Sequence, residues 1–516
     1  MPVSEQLTQV AIYARQIFIQ QPNRRFVRLL ILSGEHFRLF HFDRSGVQYT
    51  PLVNFHDDPH TFVRVVLGLS SPDESDIGLD SSIQWTIENG QKVSGTLRTH
   101  TSEGQEVVYP LSSVEPFFFS WITGEELVVK DSWREDDRVS EHVYLEDALG
   151  IPGLVQMVSC EPDRGQTKDL HGFGDTIPAG FHNRVETRIV MKSYGKSIQY
   201  FTSAMQVVCA LRDAIAGHME LYKEGTLHRD VSIYNVLLGK PDAEPGYRGI
   251  LIDLDMAIRR NRGSSTDWRV GTRFYHSIAV LRGKDYHDPL PRDHLDDLES
   301  FFYILAQIIF GYDPLGASHP LLHPISRWDA DDCELAAAFK ESVFTWDFLP
   351  STIEERWPAP CCNLIVAFGT FLGPLARKKH DVNRRTLEQR KYAKSKDMLT
   401  KVHEHYTHVL QLFDRAIYML GRPESEWRLD YESSSDSASC SSSTSNHPEN
   451  RTPVVSPATR SRKAFDLQEP FRTPLKRTSD SYPEGQPAAK RLNAYRTPRR
   501  PIVPPPRRNP HFSRSK

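Results

Sequence analysis

Apolar side chains recur at helical spacing over two long segments of the chain, residues 5–20 and 200–223, and this period predicts a helix in each. Further helices are expected at 59–69, 140–149 and 295–310, the last of which is apolar enough to be buried. The helical pattern then continues to about residue 420.

Short β-like runs dominate the first part of the chain. Residues 26–32 and 37–42 are two such runs, and the Ser-Gly-Glu-His loop between them predicts a hairpin. With the neighbouring helices they predict a small α+β module over residues 1–90, interpreted as a structural or regulatory cap on the next domain. Residues 91–158 are interpreted as strands followed by one helix, so the predicted fold class is α+β.

Composition narrows the class of protein. The 516 residues are 39% apolar, enough for a core, while 35 prolines and a mean hydropathy of −0.48 indicate long loops. No apolar run approaches the roughly 20 residues of a membrane span, and no signal segment opens the chain. Six scattered cysteines fit reduced thiols, so we expect an intracellular protein.

The end of the chain differs in composition from the rest. Residues 430–516 are rich in Ser, Pro, Arg and Thr, and so few apolar side chains predict disorder. Residues 451–516 carry 16 Lys and Arg against 4 Asp and Glu, a net charge of +12. The preceding 450 residues carry 47 Lys and Arg and 62 Asp and Glu, a net charge of −15. A basic tail therefore follows an acidic body.

Short motifs in this tail suggest transport and regulation. Lys476-Arg477 and Lys490-Arg491 have the spacing of a bipartite nuclear-import signal, which predicts an import receptor as a partner and a location in the nucleus or in nucleus and cytoplasm. Four residues that precede proline suit phosphorylation: Thr452, Ser456, Thr473 and Thr497. A generic solvated tail has the same composition, and without regularly spaced aromatic residues we do not expect nucleic acid as the main partner.

The most chemically specific pattern lies in the middle of the chain. Residues 228–235 read His-Arg-Asp-Val-Ser-Ile-Tyr-Asn, which places Asp230 and Asn235 five residues apart on one short loop. Asp253 follows at the end of a second apolar run. Phosphoryl transfer from ATP requires one Asp to orient the acceptor hydroxyl. It also requires an Asn and another Asp to hold magnesium. We therefore predict Asp230 as the catalytic base and Asn235 and Asp253 as Mg2+ ligands.

A lysine and an acid would complete such a site. Lys130 ends a β-like run and is the candidate for reaching the α and β phosphates of the nucleotide. Its partner would be Glu141 or Glu146 on the next helix, and Glu141 is preferred because it shares the core-facing side. Asp297 is assigned a structural role, either as a hydrogen-bond acceptor for the catalytic loop or, with Asp296, as a helix cap.

These residues resemble the protein-kinase superfamily, and most of all the fungal-type protein kinases, a divergent branch of it. The resemblance covers roughly residues 5–420, and Lys-Asp-Ser-Trp is its most specific mark. It is carried by the following strings: Leu-Val-Val-Lys-Asp-Ser-Trp (127–133), Leu-His-Arg-Asp-Val-Ser-Ile-Tyr-Asn (227–235), Leu-Ile-Asp-Leu-Asp-Met-Ala (251–257), Gly-Thr-Arg-Phe-Tyr-His-Ser-Ile (271–278), Asp-Asp-Leu-Glu-Ser-Phe-Phe-Tyr (296–303) and Phe-Asp-Arg-Ser-Gly (42–46).

The resemblance implies a two-lobed kinase fold, with an N-lobe over residues 91–195 and a C-lobe over 196–421. It implies ATP and Mg2+ as cofactors and a protein as substrate. Met191–Gly195, which includes Tyr194, would be the hinge that pairs with adenine. Gly271 and Thr272 would lie at the substrate-facing end of the activation segment.

The chain departs from the kinase pattern at four places. Asp255 stands where the glycine of Asp-Phe-Gly is expected. No Gly-x-Gly-x-x-Gly precedes Lys130, and the corresponding stretch, Leu111–Phe119, has no glycine and carries Glu115, which would weaken phosphate binding. Ser232 stands where a loop lysine is expected. Ala279 stands where a glutamate normally closes the activation segment through a buried ion pair.

The favoured function is an active Ser/Thr protein kinase. A pseudokinase that binds nucleotide or acts as a scaffold is the first alternative, because the Gly-rich loop is missing. A small-molecule phosphotransferase is the second, because Ser232 is reminiscent of that class.

Overall fold

The computed structural model describes residues 2–101, 104–111, 118–122, 125–174, 176–259, 270–283, 290–346, 349–385 and 401–427, for residues 118–122 and 125 without their side chains. Helices and antiparallel sheets are both present over these ranges, so the predicted α+β class is confirmed.

The N-terminal part is a helix packed on a small sheet. Its elements are α1 (Val3–Gln20), β1 (Val27–Ser33), β2 (His36–Phe42), β3 (Val47–Tyr49), β4 (Val53–Asn54) and α2 (Pro59–Leu69). Val10 and Ala14 of α1 pack against Val27, Phe40 and Phe42 of the sheet. The predicted helices at 5–20 and 59–69 and the predicted hairpin are confirmed.

A larger antiparallel sheet follows. Its seven strands are β5 (Ile83–Glu88), β6 (Gln91–His100), β7 (Glu106–Leu111), β8 (Phe118–Ile122), β9 (Glu125–Glu135), β10 (Met157–Gln166) and β11 (Arg184–Lys192), in the order β10-β11-β9-β8-β7-β6-β5. Residue 90, where the sequence predicts the boundary of the N-terminal module, lies in the turn of the β5–β6 hairpin. Ile83 lies opposite Leu97, and both fill the core of this sheet, so the two strands belong to one unit.

Strand β9 is longer than the predicted run at 126–130, and it continues through charged residues to Glu135. Asp131 lies opposite Arg188 of β11, and two hydrogen bonds of 2.7 Å join their side chains. Arg188 is fully buried and also contacts Asp80 at 2.8 Å. The charged residues stay in the strand because their partners lie in the same sheet.

The second half of the chain is mainly helical. Two helices join the sheet strands, α3 (Glu141–Asp147) and α4 (Thr167–Leu170), and two short strand pairs follow, β12 (Thr226–Leu227) with β15 (Ile258–Arg259) and β13 (Val236–Leu238) with β14 (Gly249–Leu251). The further helices are α5 (Ala204–Lys223), α6 (Ile278–Arg282), α7 (His294–Gly311), α8 (Cys333–Val343), α9 (Ser351–Glu354), α10 (Ala359–Asn383) and α11 (Val402–Leu420).

The predicted helices at 140–149, 200–223 and 295–310 are present as α3, α5 and α7, with shifted ends. Helix α5 begins at Ala204 because Ser203 caps it by accepting a hydrogen bond from Gln206 N–H. Helix α7 is buried along nearly its whole length and forms the centre of the helical core.

One helix, α10, is long and apolar enough to cross a membrane by length and composition, although the sequence predicts no span. In its most apolar window 56% of the residues are buried inside the protein. Ile365, Phe368 and Leu372 lie in the helical core, and Lys379 forms a buried ion pair with Asp296 at 2.6 Å. Packing within the protein therefore accounts for its apolar face.

Several predictions lie outside the described residues. The first is the region of the missing Gly-rich loop, residues 112–117, with Glu115. The second is the tail, residues 430–516, with its four phosphorylation sites and two basic pairs. They remain predictions from the sequence.

Candidate active site

The candidate catalytic loop, residues 228–235, joins β12 to β13, and Asp253 lies two residues beyond β14. The pairing of β13 with β14 brings these segments side by side, and Ile252 N–H donates to the Asn235 carbonyl at 2.9 Å. His228 is buried beneath the loop, where its Nε2 lies 3.0 Å from the Ile252 carbonyl and its Nδ1 accepts from Asp230 N–H at 3.2 Å. Burial lowers the pKa of His228 to about 4, so the ring is neutral.

Asp297 of α7 holds the start of this loop. Its Oδ2 accepts hydrogen bonds from the backbone N–H groups of His228 and Arg229, each at 3.1 Å, and lies 2.9 Å from His218 Nε2. Burial alone would raise the pKa of Asp297, but the hydrogen bond and charge of His218 hold it well below its usual range. Helix α7 is capped by Asp293 and Asp296 instead, so of the two predicted roles Asp297 has the loop-binding one.

Asp230 faces the segment that begins at Gly271. Its Oδ1 accepts from the backbone N–H of Thr272 at 2.7 Å and from the Thr272 hydroxyl at 2.8 Å. Gly271 has φ +101°, and a Cβ there would lie 2.6 Å from the Arg229 carbonyl oxygen, so glycine is needed for this approach. Burial raises the pKa of Asp230, the Thr272 hydrogen bonds lower it and the charge of Asp253 raises it again, which leaves a pKa of about 6.

Lys130 lies at the centre of a cluster of carboxylates. Its Nζ is 2.7 Å from Glu141 Oε2, 2.7 Å from Asp253 Oδ1 and 3.2 Å from Asp255 Oδ2. The expected contact between Lys130 and Glu141 is therefore present, whereas Glu146 is exposed. The other oxygen of Glu141 accepts from Leu254 N–H at 3.0 Å, so α3 is tied to the segment that carries Asp253.

This cluster holds three carboxylates around one ammonium group. Burial works to lower the pKa of Lys130, but Asp253, Asp255 and Glu141 raise it well above its ordinary value, so Lys130 is charged. For Glu141, burial raises the pKa and the charge of Lys130 opposes that effect. The excess of negative charge and hard oxygen donors suits a divalent cation such as Mg2+, and oxygens of Glu141, Asp253 and Asp255 lie within 4.8 Å of one another.

Asn235 and Asp253 have the geometry of residues that are fixed in place. The Asn235 amide nitrogen donates to the Asp230 carbonyl at 2.8 Å, which leaves its Oδ1 as the atom that a cation would use. Asp253 has φ +68°, a left-handed conformation that is uncommon for Asp and that often marks functional sites. The side chains predicted from the sequence thus gather around the loop and the Lys130 cluster.

The predicted hinge, Met191–Gly195, leads from β11 into the helical part. Ser193 N–H donates to the Glu126 carbonyl and Gly195 N–H to the Leu238 carbonyl, both at 2.9 Å. Met191 and Tyr194 are half-buried and pack against the main core. This position fits a connection that lines a nucleotide pocket, and the adenine contact itself remains a prediction.

Two residues that the sequence reasoning missed also hold the site together. Arg292 donates to the Arg229 carbonyl at 2.7 Å and to the Val270 carbonyl at 2.8 Å, which ties the catalytic loop to the segment before Thr272. Lys340 is fully buried and donates to the carbonyls of Phe274 and His276, each at 2.7 Å. Neither residue lies in a recognisable motif, so the sequence offers no local signal for them.

Near Ala279, where a glutamate was expected, other groups hold the backbone. Glu299 of α7 accepts from Ile278 N–H at 3.0 Å and from the Tyr303 hydroxyl at 2.8 Å. Burial raises the pKa of Glu299 to about 7. This end of the segment is thus fixed by α7 and by Lys340 of α8.

This cluster of lysine, carboxylates and loop Asp is of the kind found in protein kinases. The chain matches the family described as fungal protein kinase over residues 1–169 and 159–309. These segments cover more than half of the chain, so the protein belongs to the fungal protein kinase family. No curated protein matches the chain.

Proposed function

We propose that this protein is an ATP-dependent protein kinase that transfers the γ-phosphoryl group to Ser or Thr hydroxyls, on a two-lobed kinase fold. The observation that carries the proposal is the convergence of Lys130, Glu141 and Asp253 beside the loop that bears Asp230 and Asn235. Each of these groups has a distinct task in phosphoryl transfer.

Nucleotide binding falls to the Lys130 cluster. Lys130, oriented by Glu141, would contact the α and β phosphates, and Asn235 and Asp253 would hold Mg2+. Magnesium, when bound with ATP, supplies positive charge against the phosphate oxygens. Asp253 contacts the Lys130 ammonium group at 2.7 Å. The same carboxylate would therefore serve both Lys130 and the bound Mg2+.

Asp230 handles the proton of the acceptor. Its Oδ1 is occupied by Thr272, so Oδ2 is the oxygen that would accept a hydrogen bond from the substrate hydroxyl. A pKa of about 6 leaves most of the carboxylate ionised at pH 7 and brings its basicity closer to the working pH.

A protein substrate is favoured because a fixed segment borders the catalytic Asp. Gly271 and Thr272 of this segment lie against Asp230. Arg292, Lys340 and Glu299 hold its backbone between Val270 and Ile278. Ser232 is 1% exposed, so its hydroxyl is poorly placed to act on a substrate phosphate. Ser232 still stands where protein kinases carry a loop lysine, so a small-molecule phosphotransferase stays the second alternative.

The test uses the full-length protein with labelled ATP, Mg2+ and a mixture of protein acceptors, followed by phosphoamino-acid analysis. We expect label on Ser and Thr and a thermal shift with Mg-ATP. A shift without transfer would instead identify a pseudokinase. Label on small molecules alone would identify the other phosphotransferase class, and neither signal would remove the kinase proposal altogether.

A further inference from the structure

The Phe-Asp-Arg-Ser-Gly loop between β2 and β3 has no part in the site described above. Asp43 of this loop is buried, and its Oδ1 accepts from the backbone N–H groups of Ser45 at 2.7 Å and Gly46 at 3.2 Å. Ser45 in turn donates to the His182 carbonyl at 2.7 Å. The loop therefore joins the small N-terminal sheet to the segment between β10 and β11.

Two histidines lie beside Asp43. His41 precedes it on β2, and His171 follows α4 on the other side of the contact. His171 Nε2 is 2.8 Å from Asp43 Oδ2, and these two side chains are 3% and 0% exposed. The rings of His41 and His171 meet edge to face with centroids 5.1 Å apart.

Three buried polar atoms here lack hydrogen bonds. His41 Nε2, Asp43 Oδ2 and His171 Nε2 make none with any of the residues that the structure describes. The 2.8 Å approach of His171 to Asp43 is an ion-pair distance without hydrogen-bond geometry. Buried polar atoms are normally satisfied, so three unsatisfied ones at a single point call for a ligand.

We infer that His41, Asp43 and His171 form a zinc site that links the N-terminal sheet to the larger sheet. One donor atom from each residue lies within 4.8 Å of the others. One ion can bind all three once His171 Nε2 and Asp43 Oδ2 move apart from their present 2.8 Å. Two imidazoles and one carboxylate are a ligand set that zinc accepts, with a fourth position left for water.

Groups behind the ligands fit a metal site. The other nitrogen of His171 lies 3.1 Å from Gln48 Oε1, as expected where a metal-binding ring donates its remaining N–H to an oxygen. The second oxygen of Asp43 is held by the Ser45 and Gly46 amides, which fixes the carboxylate. The Arg28 side chain donates to His41 Nδ1 at 3.3 Å and opposes a cation, so this contact must loosen on binding.

Two other clusters of possible ligand residues carry their own cations. Asp80, Asp131 and Glu186 are paired with Arg25, Arg164 and Arg188, and the Glu141 cluster surrounds Lys130. The histidine cluster differs, because no Lys or Arg among the described residues forms an ion pair with Asp43. The charge of Arg44 does act on Asp43, and Arg28 contacts the opposite side of His41.

Metal analysis of the full-length protein tests the inference without ATP, so its outcome is independent of kinase activity. We expect about one zinc per chain, a melting temperature that falls on chelation and recovers with zinc but not magnesium, and four-coordinate absorption bands after cobalt substitution. Absence of bound zinc and of those cobalt bands in the wild-type protein would overturn the site.

Variants locate the ion. His171→Gln and Asp43→Asn should each weaken zinc binding by more than about 100-fold, since losing a ligand costs more than an outer-shell change. Asp43→Asn keeps an oxygen for the Ser45 and Gly46 amides, so the loop can still fold. His182→Gln, an exposed neighbour, should bind like wild type, and Arg28→Gln should bind more tightly. Equal affinity in His171→Gln and wild type would place the ion elsewhere and refute the assignment.

Discussion

At the scale of single residues, the basicity of Asp230 is set by its neighbours. Burial raises its pKa to about 6 while the two Thr272 hydrogen bonds hold it down. The base works only when ionised, so kcat/KM should rise with pH up to about 6 and then level off. In Thr272→Val the hydroxyl is lost, the pKa of Asp230 rises and the profile should move to higher pH.

Thr272→Ser is the matched control, because it retains a hydroxyl at the same position. Its pH–rate profile should overlay that of wild type. If Thr272→Val and Thr272→Ser gave the same profile as wild type, the hydroxyl would have no influence on the base.

A second pair of residues tests the nucleotide site. Glu141→Gln removes the charge that contacts Lys130 at 2.7 Å, whereas Glu146→Gln changes an exposed acid on the same helix. We expect kcat/KM for ATP to fall by roughly 10- to 100-fold in the first variant, since a positioned charge pair is lost. Steady-state kinetics should show less than about a twofold change in the second. Comparable losses in both would argue against the assignment of Glu141.

At the scale of elements, the catalytic loop depends on the close packing of β14 against α5. A Cβ at Gly249 would lie 2.0 Å from the Ala210 carbonyl oxygen, which is a backbone atom of α5. Gly249→Ala should therefore destabilise the protein by more than about 2 kcal/mol in denaturant unfolding. Gly68→Ala, in open space on α2, should stabilise it by about 0.5–1 kcal/mol. The packing account fails if Gly249→Ala is neutral.

Elements with strong periodicity could be predicted from the sequence. The β1–β2 hairpin and helices α1, α2, α5 and α7 follow their apolar patterns. The loop with Asp230 and the residues after β14 with Asp253 could be predicted from their motif. The long-range partners could not be predicted, because Arg292 and Lys340 bind backbone carbonyls that any sequence would present. The pairing of Ile83 with Leu97, which puts residue 90 in a turn within one sheet, likewise depends on tertiary packing.

At the scale of the whole molecule, an ion pair with a buried carboxylate joins the N-terminal module to the large sheet. Arg25 contacts Glu186 of β11 at 2.8 Å, and the Glu186 side chain is 4% exposed. Arg25→Gln would leave Arg164 as the ion-pair partner of this carboxylate among the described residues, so we expect a loss of roughly 1–3 kcal/mol in the free energy of unfolding. Calorimetry should show one cooperative transition for the module and sheet together. Arg64→Gln, an exposed control on α2, should change little, and separate transitions would show that the module folds alone.

Phosphate transfer by wild type and by Asp230→Asn, measured side by side with Mg-ATP and a protein acceptor, decides whether Asp230 is the catalytic base of a kinase. Asn keeps an oxygen for Thr272 but cannot accept a proton, so transfer should fall by about 10²- to 10⁴-fold while the thermal shift with Mg-ATP persists. Equal label in the two proteins, or none in either, would contradict the account.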